Sequence, residues 1–178
     1  RLQENPNDLD AMFMVGSAFR DVGNLESARN FYNKILAINP NDQKTKDALF
    51  ELSPESGYDE YSQGYDLQTK GDGSAASMIN AAMHYKKALQ INPNNYKAKI
   101  ALGGLDSDNK NYQGAINYYV DALKSMPATV TLSDGQQYDN PEIYKTLSQL
   151  ALNQSWLSTQ KTGEEKQQLL DSAANINK

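Results

Sequence analysis

The chain has 178 residues, a net charge of −5 and no cysteine. Its lysines and arginines are scattered, which argues against a nucleic-acid-binding surface because phosphates require a basic stripe. The absence of cysteine excludes disulfides and thiolate metal sites, and no apolar stretch is long enough to cross a bilayer.

Prolines recur along the chain at a fixed interval. Pro6 and Pro40 are 34 residues apart (40 − 6), and so are Pro93 and Pro127 (127 − 93). The last three each follow a run of helical amphipathic pattern, and a period of this size is typical of stacked helical repeats. We therefore predict an all-α fold, a single solenoid domain over residues 1–178 built from antiparallel helix pairs. Solenoids usually present a surface for binding rather than a pocket for chemistry.

The first complete unit is predicted at residues 9–42. Apolar residues at three- and four-residue spacing indicate one helix before the Gly23-Asn24 break and a second helix after it. Pro40 ends the second helix because its ring cannot continue a helix.

Residues 43–54 are predicted to form an extra helix. The segment from Gln43 to Leu52 is amphipathic and ends at Ser53-Pro54. It is therefore either a separate short helix or the start of one long helix kinked at Pro54. The phase of Tyr58 favours the separate helix.

Residues 55–95 are predicted to form an expanded second unit. With Tyr58 aligned on Met12, this unit is seven residues longer than the first (30 against 23). The extra residues lengthen the helices or the turn. We expect longer helices, roughly at 55–70 and 74–91, that project as a ridge.

The third unit is predicted at residues 96–129 and repeats the pattern of the first. The period then fails, because residues 130–135 have β-type character before an Asp-Gly turn, which predicts a long ordered loop or a small hairpin. Asn140-Pro141-Glu142 begins a further helix, and a last helix follows a break at Gly163. We interpret residues 130–178 as a connector and a degenerate fourth unit.

Both ends of the chain resemble the ending of a unit. Residues 1–8 contain the same Asn-Pro stop, and residues 174–177 repeat the helix ending at residues 37–39. We therefore expect residues 1–8 to be the tail of a preceding repeat and the chain to be a fragment of a longer array. No signal peptide is visible, and we expect a soluble, cytoplasmic domain rather than an exported or membrane-anchored one. The Asn- and Lys-rich composition favours a bacterial origin.

The sequence resembles the tetratricopeptide repeat family, whose pattern is a large residue, Leu-Gly, an aromatic, Ala, an aromatic, Ala and Pro. Within residues 9–42 these features fall on Met12, Val15-Gly16, Phe19, Ala28, Tyr32 and Pro40, with Ile35 in place of the second Ala. Within residues 96–129 they fall on Leu102-Gly103, Ala115, Tyr119, Ala122 and Pro127, with Lys99 and Asp106 as departures. The resemblance implies a right-handed superhelical solenoid in which small residues let paired helices approach closely.

In this family the first helices of the repeats line a concave groove that usually binds a peptide. The resemblance implies that the following residues face this groove: Phe13, Met14, Ser17, Arg20, Asp59, Glu60, Gln63, Asp66, Lys97, Ile100, Lys145 and Gln149. The alternative is that they form the exposed faces of ordinary helices.

The groove residues also indicate a kind of partner. Family members that clamp a terminal carboxylate carry basic residues where this chain has Phe13, Asp59 and Ile100, so that binding mode is not expected. Phe13 and Met14 form an apolar patch beside acidic residues that include Asp59 and Glu60. We therefore predict a protein or peptide partner with an apolar anchor and basic residues.

No set of residues predicts catalysis, a cofactor or a metal. A structural or surface role is expected for His84, the single histidine. The neighbouring carboxylates Asp59 and Glu60 point different ways on a helix, which is poor acid–base geometry. Residues 106–110 resemble a calcium loop, but Lys110 replaces an oxygen ligand, so we predict an inter-helix turn.

Two further residues have competing interpretations. Asn153 begins a glycosylation sequon of a kind that chance readily produces. Trp156 is expected to pack beneath the connector, with an exposed binding anchor as the alternative.

The leading interpretation is a non-catalytic protein-interaction module that serves as a scaffold for another chain. One alternative is self-association, in which repeat ends stack on one another and build an oligomer. The other is a regulatory or targeting arm of a larger enzyme.

Overall fold

The structure, a computed structural model, describes residues 7–131 and 137–176. Within these ranges the chain forms nine α-helices and a two-stranded hairpin, which confirms the predicted all-α helical repeat fold. The helices are α1 Leu9–Asp21, α2 Leu25–Ile38, α3 Gln43–Glu51, α4 Tyr58–Lys70, α5 Ala75–Ile91, α6 Tyr96–Asp108, α7 Tyr112–Ser125, α8 Pro141–Ser158 and α9 Gly163–Ile176. The strands are β1 Thr129–Thr131 and β2 Gln137–Asp139. Pro6, Asn177 and the predicted Asp134-Gly135 turn lie outside the described residues.

Short polar side chains at the N-caps explain where most helices begin. The Asp8 carboxylate accepts a hydrogen bond from the Ala11 backbone N–H at 2.9 Å, which satisfies a donor that has no partner within the helix. The same kind of cap starts six further helices, at Asn24, Asp42, Ser74, Asn95, Asn111 and Asn140. Helix α4 differs, because it follows Gly57 in a left-handed backbone conformation.

Three helix pairs share one close contact between a glycine of the first helix and a tyrosine of the second. A Cβ atom added at the glycine would lie 2.7 Å from the tyrosine ring in each of the pairs Gly16–Tyr32, Gly64–Tyr85 and Gly103–Tyr119. Each tyrosine is almost completely buried, and a buried alanine precedes it by four residues. Because a larger residue at the glycine position would force the helices apart, these small residues set the distance between paired helices.

Helix α4 has a different alignment from the predicted one. It packs on α5 through Gly64, as α1 packs on α2 through Gly16. Counted back from these two glycines, Tyr61 is the equivalent of Phe13. The predicted alignment, which put Asp59 at this position, is wrong by two residues.

The expansion of the middle pair lies in α5 and in the turn before it. The glycine and the tyrosine of the close contact are 21 residues apart in this pair and 16 apart in the other two, so five residues are extra rather than seven. Helix α5 has 17 residues against 14 in α2 and α7, whereas α4 has the same 13 residues as α1 and α6. The expected lengthening is therefore wrong for the first helix of the pair, which begins at Tyr58 rather than near residue 55.

Helix α3 is a separate helix, the alternative that the phase of Tyr58 favoured. A 3-10 turn at Pro54–Ser56 and the left-handed Gly57 divide it from α4. The Arg29 guanidinium of α2 donates hydrogen bonds to the Leu52 carbonyl at the end of α3, and the Leu52 side chain is fully buried. Helix α3 is thus anchored on α2.

The connector after α7 forms the small hairpin, one of its two predicted structures. Strands β1 and β2 are antiparallel, with Val130 opposite Tyr138. Asn140 follows the hairpin and is only 2% exposed. Its side chain donates to the Pro127 carbonyl at 2.9 Å and caps α8. The base of the hairpin is therefore fixed to the start of α8.

Candidate functional site

A cavity of about 1040 Å³ opens between α1, α4 and α6, the first helices of the three similar pairs. Its other walls are α3, β1 and the first residues of α8. Five aromatic side chains line it: Phe13, Phe50, Tyr58, Tyr61 and Tyr96.

Two of these aromatic side chains rest on the buried tyrosines of their helix pairs. The ring centroid of Phe13 lies 5.2 Å from that of Tyr32, and the centroid of Tyr61 lies 5.8 Å from that of Tyr85. Tyr58 extends the row, with its ring 6.3 Å from Tyr61. Because the supporting tyrosines cannot move without disturbing the helix packing, the cavity presents an aromatic wall in a fixed position.

Three basic residues line the cavity, Arg20, Lys44 and Lys97. Lys44 Nζ of α3 lies 3.8 Å from the centroid of the Phe13 ring, and the other two are engaged by one acidic residue. The Glu51 carboxylate lies 3.1 Å from Lys97 Nζ and 3.7 Å from Arg20 Nη1. Glu51 belongs to α3, whereas its two partners belong to α6 and α1. The extra helix therefore neutralises the cationic groups that the first helices bring to the cavity.

Glu142, at the start of α8, brings negative charge to the tyrosines. Burial raises the pKa of Tyr61 to about 12, and the carboxylate of Glu142 adds to this shift. Burial also raises the pKa of Tyr96 to about 12, and the carboxylates of Glu51 and Glu142 add to this shift. Both hydroxyls are therefore neutral donors near neutral pH. The Glu142 carboxylate pairs with the exposed Lys145 of its own helix, at 3.9 Å. Because exposed ion pairs of this kind are weak, another cation can readily replace Lys145.

The predicted groove residues divide into two sets. Four line the cavity: Phe13, Ser17, Arg20 and Lys97. The other eight are not among the lining residues: Met14, Asp59, Glu60, Gln63, Asp66, Ile100, Lys145 and Gln149. In α4 the reason is the alignment error, since Tyr58 and Tyr61 occupy the positions that face the cavity.

The residues of the predicted acidic patch do not line the cavity with Phe13: Asp59, Glu60 and Asp66. Glu60 Oε2 lies 2.6 Å from His84 Nδ1 on α5, and Asp66 lies 2.8 Å from Lys70 on α4. Glu60 therefore connects the two helices of the middle pair, whereas the Asp66 ion pair stays within α4.

The remaining α6 and α8 candidates also lie elsewhere. Ile100 is partly buried against the cluster around Ala115 and Tyr119 between α6, α7 and α8. Lys145 and Gln149 are exposed. Sequence reasoning missed the contributions of α3 and β1, for which the repeat pattern carries no signal.

The structure also places the calcium-loop-like segment, the glycosylation sequon and Trp156. The predicted turn at residues 106–110 is only partly correct: residues 106–108 end α6, and the turn before α7 is at 109–111, where Lys110 has a positive φ of 61°. Asn153 is fully buried, so it is inaccessible to glycosylation in the folded chain. Trp156 is 38% exposed, and its ring lies 5.4 Å from Tyr112.

Within 7–131 and 137–176, no three His, Cys, Asp or Glu side chains gather closely enough to hold a metal ion. In the same part of the chain, none of the helices combines the length and the apolar character that a bilayer crossing requires.

Comparison with known proteins identifies one repeat family. The tetratricopeptide repeat model matches residues 9–42. Among solved structures, the crystal structure of MamA is 15% identical in sequence, with a TM-score of 0.48 over 99% of this chain and 82% of that chain. No curated protein matches the sequence. The match at residues 9–42 covers the pair that contains the Gly16–Tyr32 contact, and this contact recurs in two later pairs. Residues 9–42 thus match one tetratricopeptide repeat.

Proposed function

We propose that this chain is a non-catalytic interaction module that binds a peptide segment of another protein in the cavity. Tetratricopeptide repeats generally bind proteins and are generally not catalytic. The observation that carries the proposal is the aromatic wall of Phe13, Tyr58 and Tyr61 within a cavity of about 1040 Å³. This volume is at the upper limit of small-molecule pockets, roughly 300–1,000 Å³, and suits several side chains of a peptide.

The charges of the cavity suggest the composition of the peptide. Arg20 and Lys97 already have Glu51 as a partner, so an acidic peptide would have to displace it. Glu142 lines the same cavity as the tyrosines and has only a weak, exposed ion pair. A peptide with an apolar side chain against Tyr61 and a basic side chain near Glu142 fits this arrangement best.

Selection from a phage-displayed random peptide library tests this function. Selected peptides are synthesised, and their dissociation constants are measured by isothermal titration calorimetry. Tyr61→Ala should weaken binding about tenfold or more, because buried aromatic anchors carry much of the affinity of an interface. Tyr144→Ala is the matched control, since this tyrosine is 61% exposed and is not among the lining residues. Selected peptides that bind Tyr61→Ala as tightly as the unchanged protein would contradict the proposal.

A second pair of variants tests the charge of the partner. Glu142→Lys should weaken the binding of a basic peptide, with an effect that shrinks as salt is added. Asp59→Lys makes the same charge change at an exposed residue outside the cavity, and it should leave affinity nearly unchanged. The reverse result would instead support the acidic residues of α4 as the partner-binding surface.

A further inference from the structure

The hairpin has a free edge whose hydrogen-bonding groups can be identified. The Asn140 N–H donates to the Ala128 carbonyl at 2.9 Å, so this pair is hydrogen-bonded. In an antiparallel ladder the hydrogen-bonded pairs alternate with non-bonded pairs. The next bonded pair is therefore Val130 with Tyr138. The backbone groups of Thr129, one residue before Val130, point away from β2.

This free edge lies on the cavity side of the hairpin. Thr129 and Val130 of β1 line the cavity, whereas no residue of β2 is among the lining residues. Strand β1 is therefore placed between β2 and the cavity. Within the part of the chain that the structure describes, the two-stranded sheet has no third strand on this edge.

The edge is also held in place. The buried Asn140 side chain binds the Pro127 carbonyl immediately before the strand, and it caps α8 directly after the hairpin. On this edge, each residue whose backbone groups point away from β2 presents one N–H donor and one C=O acceptor. An exposed row of this kind pairs readily with another extended chain.

We propose that the peptide partner binds as an added β-strand on the Thr129–Thr131 edge, with alternate side chains directed at the aromatic wall. The proposal rests on the proposed function, because it specifies how the peptide in the cavity is held. Backbone pairing supplies affinity that does not depend on sequence, and the aromatic wall selects the apolar side chains. A helical ligand would contact the aromatic wall but would have no backbone groups free to pair with β1.

The test uses the whole chain, the library-selected peptide, and a proline substitution that removes one N–H from the free edge. Thr129→Pro should weaken peptide binding about tenfold, because one hydrogen bond is lost and a peptide carbonyl is left without a donor. The hairpin should tolerate this proline, since the Thr129 N–H does not pair with β2. Thr129→Val is the matched reference, because it alters the side chain but keeps the N–H and the strand-favouring shape. Thr129→Pro should therefore bind the peptide more weakly than Thr129→Val.

Amide hydrogen exchange on the unchanged protein gives a result that does not depend on any variant folding. Saturation with the peptide should slow exchange of the Thr129 amide, and exchange at the exposed Gln167 of α9 should stay constant. Equal affinities of Thr129→Pro and Thr129→Val, or an unaltered exchange rate at Thr129, would overturn the strand pairing. If Tyr61→Ala still loses affinity in that case, binding in the cavity stands. Failure of the cavity proposal itself is recognised separately, by unchanged affinity of Tyr61→Ala.

Discussion

Gly57 lies directly against the backbone carbonyl of Ala88. A Cβ atom at Gly57 would come within 2.6 Å of Ala88 O, and Gly57 has a φ of +69°. The turn between α3 and α4 therefore meets the end of α5 at a contact between backbone atoms. This contact fixes the position of α3, which supplies Glu51 and one wall of the cavity.

Gly57→Ala should lower the free energy of unfolding by about 3 kcal/mol, because left-handed strain and a backbone clash act together. Gly73→Ala is the matched control. Its φ is +71°, but nothing lies within 4 Å of the added Cβ, so strain alone should cost about 1 kcal/mol. Urea unfolding followed by circular dichroism measures both. Equal losses would show that the approach to Ala88 does not constrain the fold.

Two adjacent glycines of α6 should respond in opposite directions to alanine. A Cβ at Gly103 would lie 2.7 Å from the buried Tyr119 ring, whereas one at Gly104 would meet only the Tyr119 hydroxyl, at 4.0 Å. Gly103→Ala should destabilise the protein by about 2 kcal/mol through overpacking. Gly104→Ala should stabilise it by about 0.5–1 kcal/mol, since alanine favours a helix interior. Thermal unfolding of the two variants would contradict this packing if both melting temperatures rose.

The second helices of the three similar pairs could be predicted closely from the sequence. Tyr32, Tyr85 and Tyr119 are each followed eight residues later by a proline and preceded four residues earlier by an alanine. This pattern is strict because a buried tyrosine ring and a buried alanine tolerate no shift of alignment. For the middle pair, the predicted helix at 74–91 agrees with α5 at Ala75–Ile91.

The alignment of α4 could not be fixed from its tyrosines. Tyr58, Tyr61 and Tyr65 recur at helical spacing and form one apolar stripe. The stripe alone does not show whether it packs on α5, as Met12 was expected to pack on α2, or faces the cavity as Phe13 does. The residue that decides the alignment is Gly64, because it alone in α4 lacks the Cβ that would meet Tyr85. The same error affected the prediction of the site, because the alignment determines whether Asp59 or Tyr61 faces the cavity. The placement of β1 beside the cavity depends on tertiary packing, which no local pattern specifies.

The Asn-Pro stop at the end of α5 has a role that the corresponding stop in the first pair lacks. Asn92 Oδ1 accepts from the Asn94 N–H at 3.0 Å, and Asn92 Nδ2 donates to the Ser56 carbonyl at 3.2 Å. Asn39 makes the first kind of bond, to the Asn41 N–H at 3.3 Å. Among the described residues, the Asn39 side chain donates no hydrogen bond to another element.

Asn92→Asp should therefore destabilise the protein by about 1–2 kcal/mol, because it keeps the acceptor but replaces the donor to Ser56 with a negative charge. Asn39→Asp makes the same change where only the acceptor is used, and it should shift stability by less than about 0.5 kcal/mol. Chemical denaturation at neutral pH measures both. A larger loss in the Asn39 variant would show that the bond to Ser56 is not the relevant difference.

Lys99 is a buried cation that lies between α6 and α7. It is 6% exposed, and its Nζ lies 2.8 Å from Ser125 Oγ and 3.0 Å from Asp121 Oδ2. Lys99→Met should change the free energy of unfolding by less than about 1 kcal/mol, because the apolar stem is kept and the exposed Asp121 is left in water. Lys99→Ala should cost about 2–3 kcal/mol through the cavity it leaves. Equal effects in equilibrium unfolding would show that the ion pair, not the stem, stabilises the helix pair.

The same ion pair predicts a dependence of stability on pH. The hydrogen bond from Lys99 lowers the pKa of the Asp121 carboxyl, with burial opposing the shift and Lys124 adding to it. A lowered pKa in the folded state stabilises the protein above the pKa of the unfolded state, about 4, and this contribution is lost as pH falls through the folded pKa. In Lys99→Met, NMR titration should find the Asp121 pKa closer to its ordinary value, and stability should fall less steeply in acid. Lys124→Gln, which removes the more exposed cation, should move the Asp121 pKa less. An Asp121 titration that is identical in Lys99→Met and the unchanged protein would rule out Lys99 as the main cause of the shift.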